Sequence, residues 1–269
     1  MTNVSKFGKG AIPIPLSIKD YRLITSVKLP EKFSVREHIT DIKNQGSSGS
    51  CVAQSFAYYA EVLNKIETGK FEGLSARDIY SLIYIEPMGA WLKDGASKIC
   101  KSGVIPEAKA PSYENGNPPS EKFMRSRENI TQSTINEGLQ FIAQKYLTWD
   151  SNNVEKFKQA IFQGHGAVCA FGGNNYCWQN AEILVPEQVD WWHSVYLTGW
   201  NDKDKVFEFV NSWGVEWGFN GFGLLPYEYI EKGFATNPLT LIDLPNDTYV
   251  KLLSQIINLY KKLIELLKK

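Results

Sequence analysis

Val206-Phe-Glu-Phe-Val-Asn211-Ser-Trp-Gly214-Val-Glu-Trp-Gly218-Phe-Asn-Gly221 opens as a short run rich in Val and Phe and closes in Gly and Asn, the composition of a strand running into turns. Polar Asn211 ends the apolar run, and Trp213 follows two residues later. Just upstream, His193-Ser-Val-Tyr-Leu-Thr-Gly-Trp200 has the same character and opens on a histidine. Residues 167–171 and 223–225 are further short runs bounded by Gly, Asn or Asp and also read as strands. The first half of the chain has another rhythm. Within 51–68, Val52, Phe56, Tyr59, Leu63 and Ile66 recur at spacings of 4, 3, 4 and 3, which predicts a helix. Ser50 can cap its start and Gly69 its end. Residues 76–85, 92–101 and 153–163 also read as helices. Helices first and strands later predict an α+β protein with two lobes.

The ends and the middle are irregular. Pro13, Pro15 and Pro30 break any long element in residues 1–30, which read as an extended arm. Residues 109–120 hold three prolines and one glycine and read as a surface loop. Asn246 and Asp247 begin a last helix reaching the C-terminus. In it Tyr249, Leu253, Ile256, Tyr260, Leu263 and Leu267 form a heptad-like seam with lysines off it. Docking on its own domain, self-association or partner docking, and a basic membrane contact are its alternatives.

Bulk properties narrow the function. The chain has 269 residues, enough for one large domain or two small lobes. With 29 basic and 29 acidic residues the formal charge is zero, which gives no footing for nucleic acid or an acidic membrane. No stretch has the roughly 18 apolar residues of a membrane span, and the N-terminus lacks a signal-peptide apolar run. Four cysteines, Cys51, Cys100, Cys169 and Cys177, make no disulfide framework, and without a CxxC pair no structural zinc site or other cofactor is expected. The default compartment is reducing and cytosolic, with export by a route not visible in the sequence as the alternative.

Cys51 follows Gln45-Gly-Ser-Ser-Gly-Ser50 at the start of the longest central helix. Free N–H groups and the helix dipole there favour an anion, and the thiolate is the nucleophilic form of cysteine. Read alone, Cys51 is equally a small core residue. A thiolate needs a proton partner, and the chain has three histidines. His38 sits in a charged stretch and His165 in a turn between glycines, which leaves His193, at a strand end, as the best base. The Asn211 side-chain oxygen can accept from the imidazole and fix its orientation, and Trp213 can cover that bond. The plain alternative is a turn asparagine before Gly.

Together these segments resemble the papain and cathepsin family of cysteine peptidases over about residues 29–235. The family's first block, Gln-Gly-x-Cys-Gly-Ser-Cys-Trp, corresponds to Gln45-Gly-Ser-Ser-Gly-Ser-Cys51-Val52. Its Asn-Ser-Trp-Gly-x-x-Trp-Gly-x-x-Gly block is matched at 211–221 without departure, and His193-Ser-Val-Tyr-Leu-Thr-Gly199 supplies the histidine block. His193 follows Cys51 within the family interval of roughly 130–150 residues, and Asn211 lies slightly beyond it. The resemblance implies a two-lobed fold, helical on the left and β-barrel-like on the right, with the active-site cleft between. It implies Cys51 as nucleophile, His193 as acid and base, Asn211 as orienting residue, and the Gln45 amide with the Cys51 N–H as oxyanion donors. Counting back from Gly103 sets Gly89, Ala90 and Trp91 on the turn that pairs with substrate backbone. Trp91, Leu92, Ala170, Trp191 and Ser194 would line the main side-chain pocket, favouring an apolar or aromatic residue next but one before the scissile bond. Inter-lobe core is the bland reading of the same aromatics.

The departures matter too. Ser48 replaces a disulfide cysteine and Val52 the usual Trp, which fits a bacterial or viral-type member. Trp192, before the histidine, is expected to bury the imidazole further. Cys169 and Cys177 read as reduced core thiols, a hairpin bridge being the alternative. The implied division is an arm or short pro-segment at 1–28, a peptidase domain at 29–245 and an amphipathic helix at 246–269. The arm is too short for the family's usual prodomain and would lie along the surface or across the cleft. The implied activity is endopeptidase action on a peptide or protein through an acyl-enzyme. A silent papain-fold module and a thiol acyltransferase or ligase are the alternatives.

Overall fold

The computed structural model describes residues 2–15, 17, 22–23 and 27–243; the helix expected from 246 onward lies outside the described residues. The expected central helix forms as α1 (Cys51–Thr68), almost wholly buried through Val62. It ends where Gly69, at φ 72°, adopts the left-handed conformation open to glycine. Ser50 occupies the cap position, but its hydroxyl does not cap; it lies 2.7 Å from that of Ser48 and accepts from the Gln54 side chain. Around α1 stand α2 (Ala76–Ile83) and α3 (Leu92–Ser102). Ser75 caps α2 by accepting from the Asp78 N–H at 3.0 Å. Shorter helices α4 (Glu121–Arg125) and α5 (Gln132–Gly138) follow. The helical core joins Val52, Phe56, Tyr80, Leu92 and Ile99.

The second lobe is antiparallel sheet with α6 (Val154–Gly164) and α7 (Tyr227–Glu231). Its strands are β1 (Lys32–Ser34), β2 (Lys145–Thr148), β3 (Ala167–Gly173), β4 (Trp191–Asn201), β5 (Val206–Val210), β6 (Phe222–Pro226) and β7 (Ala235–Ile242). They order as β2-β7-β3-β4-β5-β6, with β1 on β4, in an open sheet that makes up the lobe expected to be barrel-like. Bulges between Val168 and Ala170 opposite β7, and between Leu197 and Gly199 opposite β5, bend it without joining its edges. The aromatic core of this lobe holds Trp149, Phe157, Trp178, Phe209, Trp213 and Trp217.

α1 lies within the first core, which also takes in Val168, Ala170, Tyr196 and Leu239 of the sheet, and it is stapled to the sheet by hydroxyls. Tyr59 Oη is 2.8 Å from the Gly164 and Gly166 carbonyl oxygens and accepts the Leu241 N–H at 2.9 Å. Tyr58 Oη accepts the Lys43 N–H and donates to the Asn211 carbonyl at 3.2 Å. His165 closes α6 in a left-handed conformation, φ 58°, and His38 is half-buried beside Glu37; neither approaches Cys51 in the hydrogen-bonding network. All four cysteines are free thiols. No described helix is long and apolar enough to cross a membrane.

Candidate active site

The segment before α1 is laced to the end of β5. The Gln45 N–H donates to the Ser212 carbonyl at 2.8 Å, the Gly214 N–H to the Lys43 carbonyl at 3.0 Å, and Ser212 Oγ to Gln45 Oε1 at 2.5 Å. Ser48 Oγ donates to the Gln45 carbonyl at 2.7 Å, so a hydroxyl tightens the turn where the resemblance has a disulfide cysteine. Glu121 accepts the Gly49 N–H at 2.7 Å and the Tyr80 hydroxyl at 2.8 Å; Tyr80 Oη in turn accepts the Gly89 N–H at 2.9 Å. One carboxylate thus braces both the turn before Cys51 and the turn before Ala90. Nothing in the sequence near Glu121 or Tyr80 announced this brace, because its members meet only through the fold.

These contacts bring Cys51, His193, Asn211 and Gln45 together. His193 Nε2 lies 2.8 Å from Asn211 Oδ1, an acceptor, so Nε2 carries the proton and Nδ1 is the free base. Nδ1 is buried with no hydrogen-bond partner. Trp213 covers the pair at 4.5 Å between ring centroids from His193. The sulfur of Cys51 is approached by the N–H groups of Ser194, Gly10, Val52 and Ala11, so it lies next to the residue that follows His193. Burial of Cys51 nevertheless outweighs those donors and pushes its thiol up. Burial also drops His193 to about 3, Asn211 opposing the change and the Lys9 ammonium adding to it. Both groups are therefore neutral in this structure.

The reason is the arm. Phe7 stacks on Trp213 at 5.3 Å and 3°. The Gly8 N–H donates to the Gly46 carbonyl at 3.0 Å, while the Gly8 carbonyl accepts from Gln45 Nε2 at 2.9 Å. The Gly10 N–H lies 3.3 Å from Cys51 Sγ. The Ala90 N–H donates to the Gly10 carbonyl at 2.7 Å, and the Ile12 N–H to the Ala90 carbonyl at 3.0 Å, pairing Ala11 with Ala90 in parallel. The fit needs glycine: a Cβ on Gly8 would stand 2.0 Å from the Ser48 carbonyl oxygen, and one on Gly10 2.0 Å from that of Gly49. The arm crosses the cleft rather than running along the surface. Its alternating glycines were the available signal in the sequence.

The expected substrate-side residues divide. Ala90 offers both backbone groups to the arm. Gly89 spends its own on Tyr80 and on the Ile85 N–H, and its lack of Cβ admits the Gly10 carbonyl. Leu92 and Ala170 share a core with Cys51, Ala90 and Ala11. Trp91 is exposed at the start of α3, and buried Ser194 donates to Ser55 Oγ at 3.2 Å. Trp191 lies on the far side, against Trp178, His193 and Trp213. Alternation along β4 puts residues 191 and 193 on one face, so Trp191 rather than Trp192 packs on the imidazole.

The model of the papain family of cysteine proteases matches residues 29–239. The chain belongs to the papain family of cysteine proteases. Among its curated relatives is an uncharacterized peptidase C1-like protein of Acanthamoeba polyphaga mimivirus, 27% identical over 80% of this chain and 76% of that one. A cysteine protease of the mite Blomia tropicalis is 27% identical over 80% of this chain and 65% of that protein. Among solved structures, xylellain, a cysteine protease from Xylella fastidiosa, superposes with TM-score 0.76 at 22% identity, covering 89% of this chain and 97% of that one. This family member is a cysteine peptidase, a hydrolase acting on peptide or protein substrates.

Proposed function

We propose that this peptidase works through Cys51, His193, Asn211 and Gln45, and that residues 7–12 hold it in a closed, idle form. The observation that carries the reading is the Gly10 N–H at 3.3 Å from Cys51 Sγ on a segment hydrogen-bonded to Ala90 on both sides. With the arm displaced, water re-enters, the desolvation of Cys51 and His193 falls, and the pair can pass to thiolate and imidazolium. The thiolate attacks the peptide carbonyl, and Gln45 Nε2, released from the Gly8 carbonyl, is free to donate to the oxyanion. His193 Nδ1 gives its proton to the leaving amine, and water then hydrolyses the thioester.

This scheme also fixes direction. The leaving amine must lie on the imidazole side, where Trp191 and Trp213 pack, and the acyl part on the Ala90 side. The arm runs from Phe7 at Trp213 to Ile12 at Ala90, opposite to a substrate. A reversed chain does not present its carbonyls for productive attack, which accounts for an arm that occupies the site as an occluder. Free thiols and Ser48 in place of a disulfide cysteine support a reducing compartment, taken here as the cytosol. The readings of 246–269 as a docking or self-association helix lie outside the described residues.

The test is a peptide-library digest by the Gly10→Val form, in which a side chain collides with the Gly49 carbonyl and displaces the arm, with Cys51→Ala added to the same chain as control. Cleavage that needs Cys51 is expected. Equal products from both chains would defeat the assignment.

A further inference from the structure

Among the described residues of the arm, Lys9 carries its charge into the cleft, where Cys51 attracts it. Its ammonium stands 5.3 Å from the Trp191 ring centroid and 5.5 Å from that of Trp213, within the roughly 6 Å over which a ring face attracts a cation. Among the described residues no carboxylate pairs with it; its polar partner is the Val4 carbonyl, on the arm itself. Burial lowers Lys9 to about 8, which leaves it protonated at neutral pH.

The two rings are fixed independently of the arm. Trp191 Nε1 donates to Asn175 Oδ1 at 3.1 Å, and its ring packs edge-on against Trp178 at 5.7 Å. Trp213 is held between His193 at 4.5 Å and Trp217 at 5.5 Å. When the arm leaves, Lys9 and the Val4 carbonyl leave with it, and the aromatic pair remains on the leaving-amine side of Cys51. The first substrate residue beyond the scissile bond starts from the place now held by the Lys9–Gly10 linkage, since the Gly10 N–H abuts the sulfur.

We propose that Trp191 and Trp213 form a cation subsite that selects a Lys or Arg side chain immediately after the scissile bond. The inference rests on the peptidase reading above and on its assignment of the amine side. It makes Trp191, which the sequence placed in the opposite pocket, a specificity-determining residue.

The test uses quenched fluorescent peptides that differ only at the residue after the bond, as Lys, Arg, Leu, Phe or Glu. They are given to the full-length chain and to its Gly10→Val form, with cleavage positions read by mass spectrometry. Lys and Arg are expected to exceed Leu by roughly five- to tenfold in kcat/KM, with Glu lowest. The Lys-to-Leu ratio is expected to fall near one in Trp191→Leu and to an intermediate value in Trp191→Phe. Cleavage without a basic preference, a preference for Phe over Lys, or a Lys-to-Leu ratio unmoved by Trp191→Leu overturns the subsite while the peptidase reading stands. If no peptide is cut by either chain, the peptidase reading fails and the subsite with it.

Discussion

Cys51 and His193 share a single proton in either of their states: thiol with imidazole when buried, thiolate with imidazolium when solvated. Opening the cleft therefore changes the proton count of the pair little near neutral pH, and pH alone should not drive activation there. Replacing Cys51 with Ser breaks the compensation. His193, which faces Lys9, Asn211 and residue 51, then titrates by itself, near 3 when closed against an ordinary value of 6.5. A depressed value means that closure is fully favoured above about 6.5 and loses ground as pH falls towards 3, by about tenfold per pH unit. Lys9 stays protonated throughout that window. The protection factors of the Ala90 and Gly10 amides of Cys51→Ser, taken against the intrinsic exchange rate at each pH, should fall accordingly on acidification; protection factors that do not change with pH would contradict the burial argument. For the natural chain, Gln45→Ala should cost roughly 10²–10³ in kcat, since one oxyanion donor is lost, and steady-state kinetics with Cys51 titrated checks it. The chemistry of residues 45, 51, 193 and 211 was legible in the sequence because it is local: a helix start, a strand start, a strand end. Lys9, Tyr80, Ser212 and Glu121 were not, since their roles depend on contacts between segments far apart in the chain.

At the scale of elements, α1, α3, α6 and strands β3 to β6 follow from apolar periodicity, and their ends fall close to the cap and turn residues. β7 did not, because Asn237 and Pro238 interrupt its pattern. The fold uses that interruption: Asn237, at φ 52°, turns its amide to the arm, accepting the Ile14 N–H at 2.9 Å and donating to the Ile14 carbonyl at 2.5 Å. β1 and β2 were missed because three or four residues carry too little periodicity to read. Asn237→Gly keeps the backbone conformation accessible and removes both bonds. At about 0.5–1.5 kcal/mol each, their loss should speed alkylation of Cys51 by about tenfold, measured with a small thiol reagent. An unchanged rate would mean that the arm is anchored elsewhere.

As a whole, the molecule has two cores, with Cys51 in one and Trp213 in the other, and the site lies where they meet. The second lobe was expected to be barrel-like, and its sheet stays open; composition cannot tell an open sheet from a closed one, because closure depends on register and bulges. Tyr59, buried on α1, ties the helical lobe to α6 and β7 through its hydroxyl. Tyr59→Phe leaves the Leu241 N–H without its partner and should cost about 1–3 kcal/mol, read as a lower urea midpoint at constant slope. The same architecture lets residues 7–12 span both lobes and touch Gln45, Cys51 and Ala90 at once. The most direct measurement is the rate at which an epoxide-type thiol-peptidase reagent labels Cys51 in the natural full-length chain and in Gly10→Val, where a side chain collides with the Gly49 carbonyl. Labelling and peptide turnover that both rise at least about tenfold in Gly10→Val are the predicted result; equal labelling of the two chains would contradict an arm that holds the nucleophile closed.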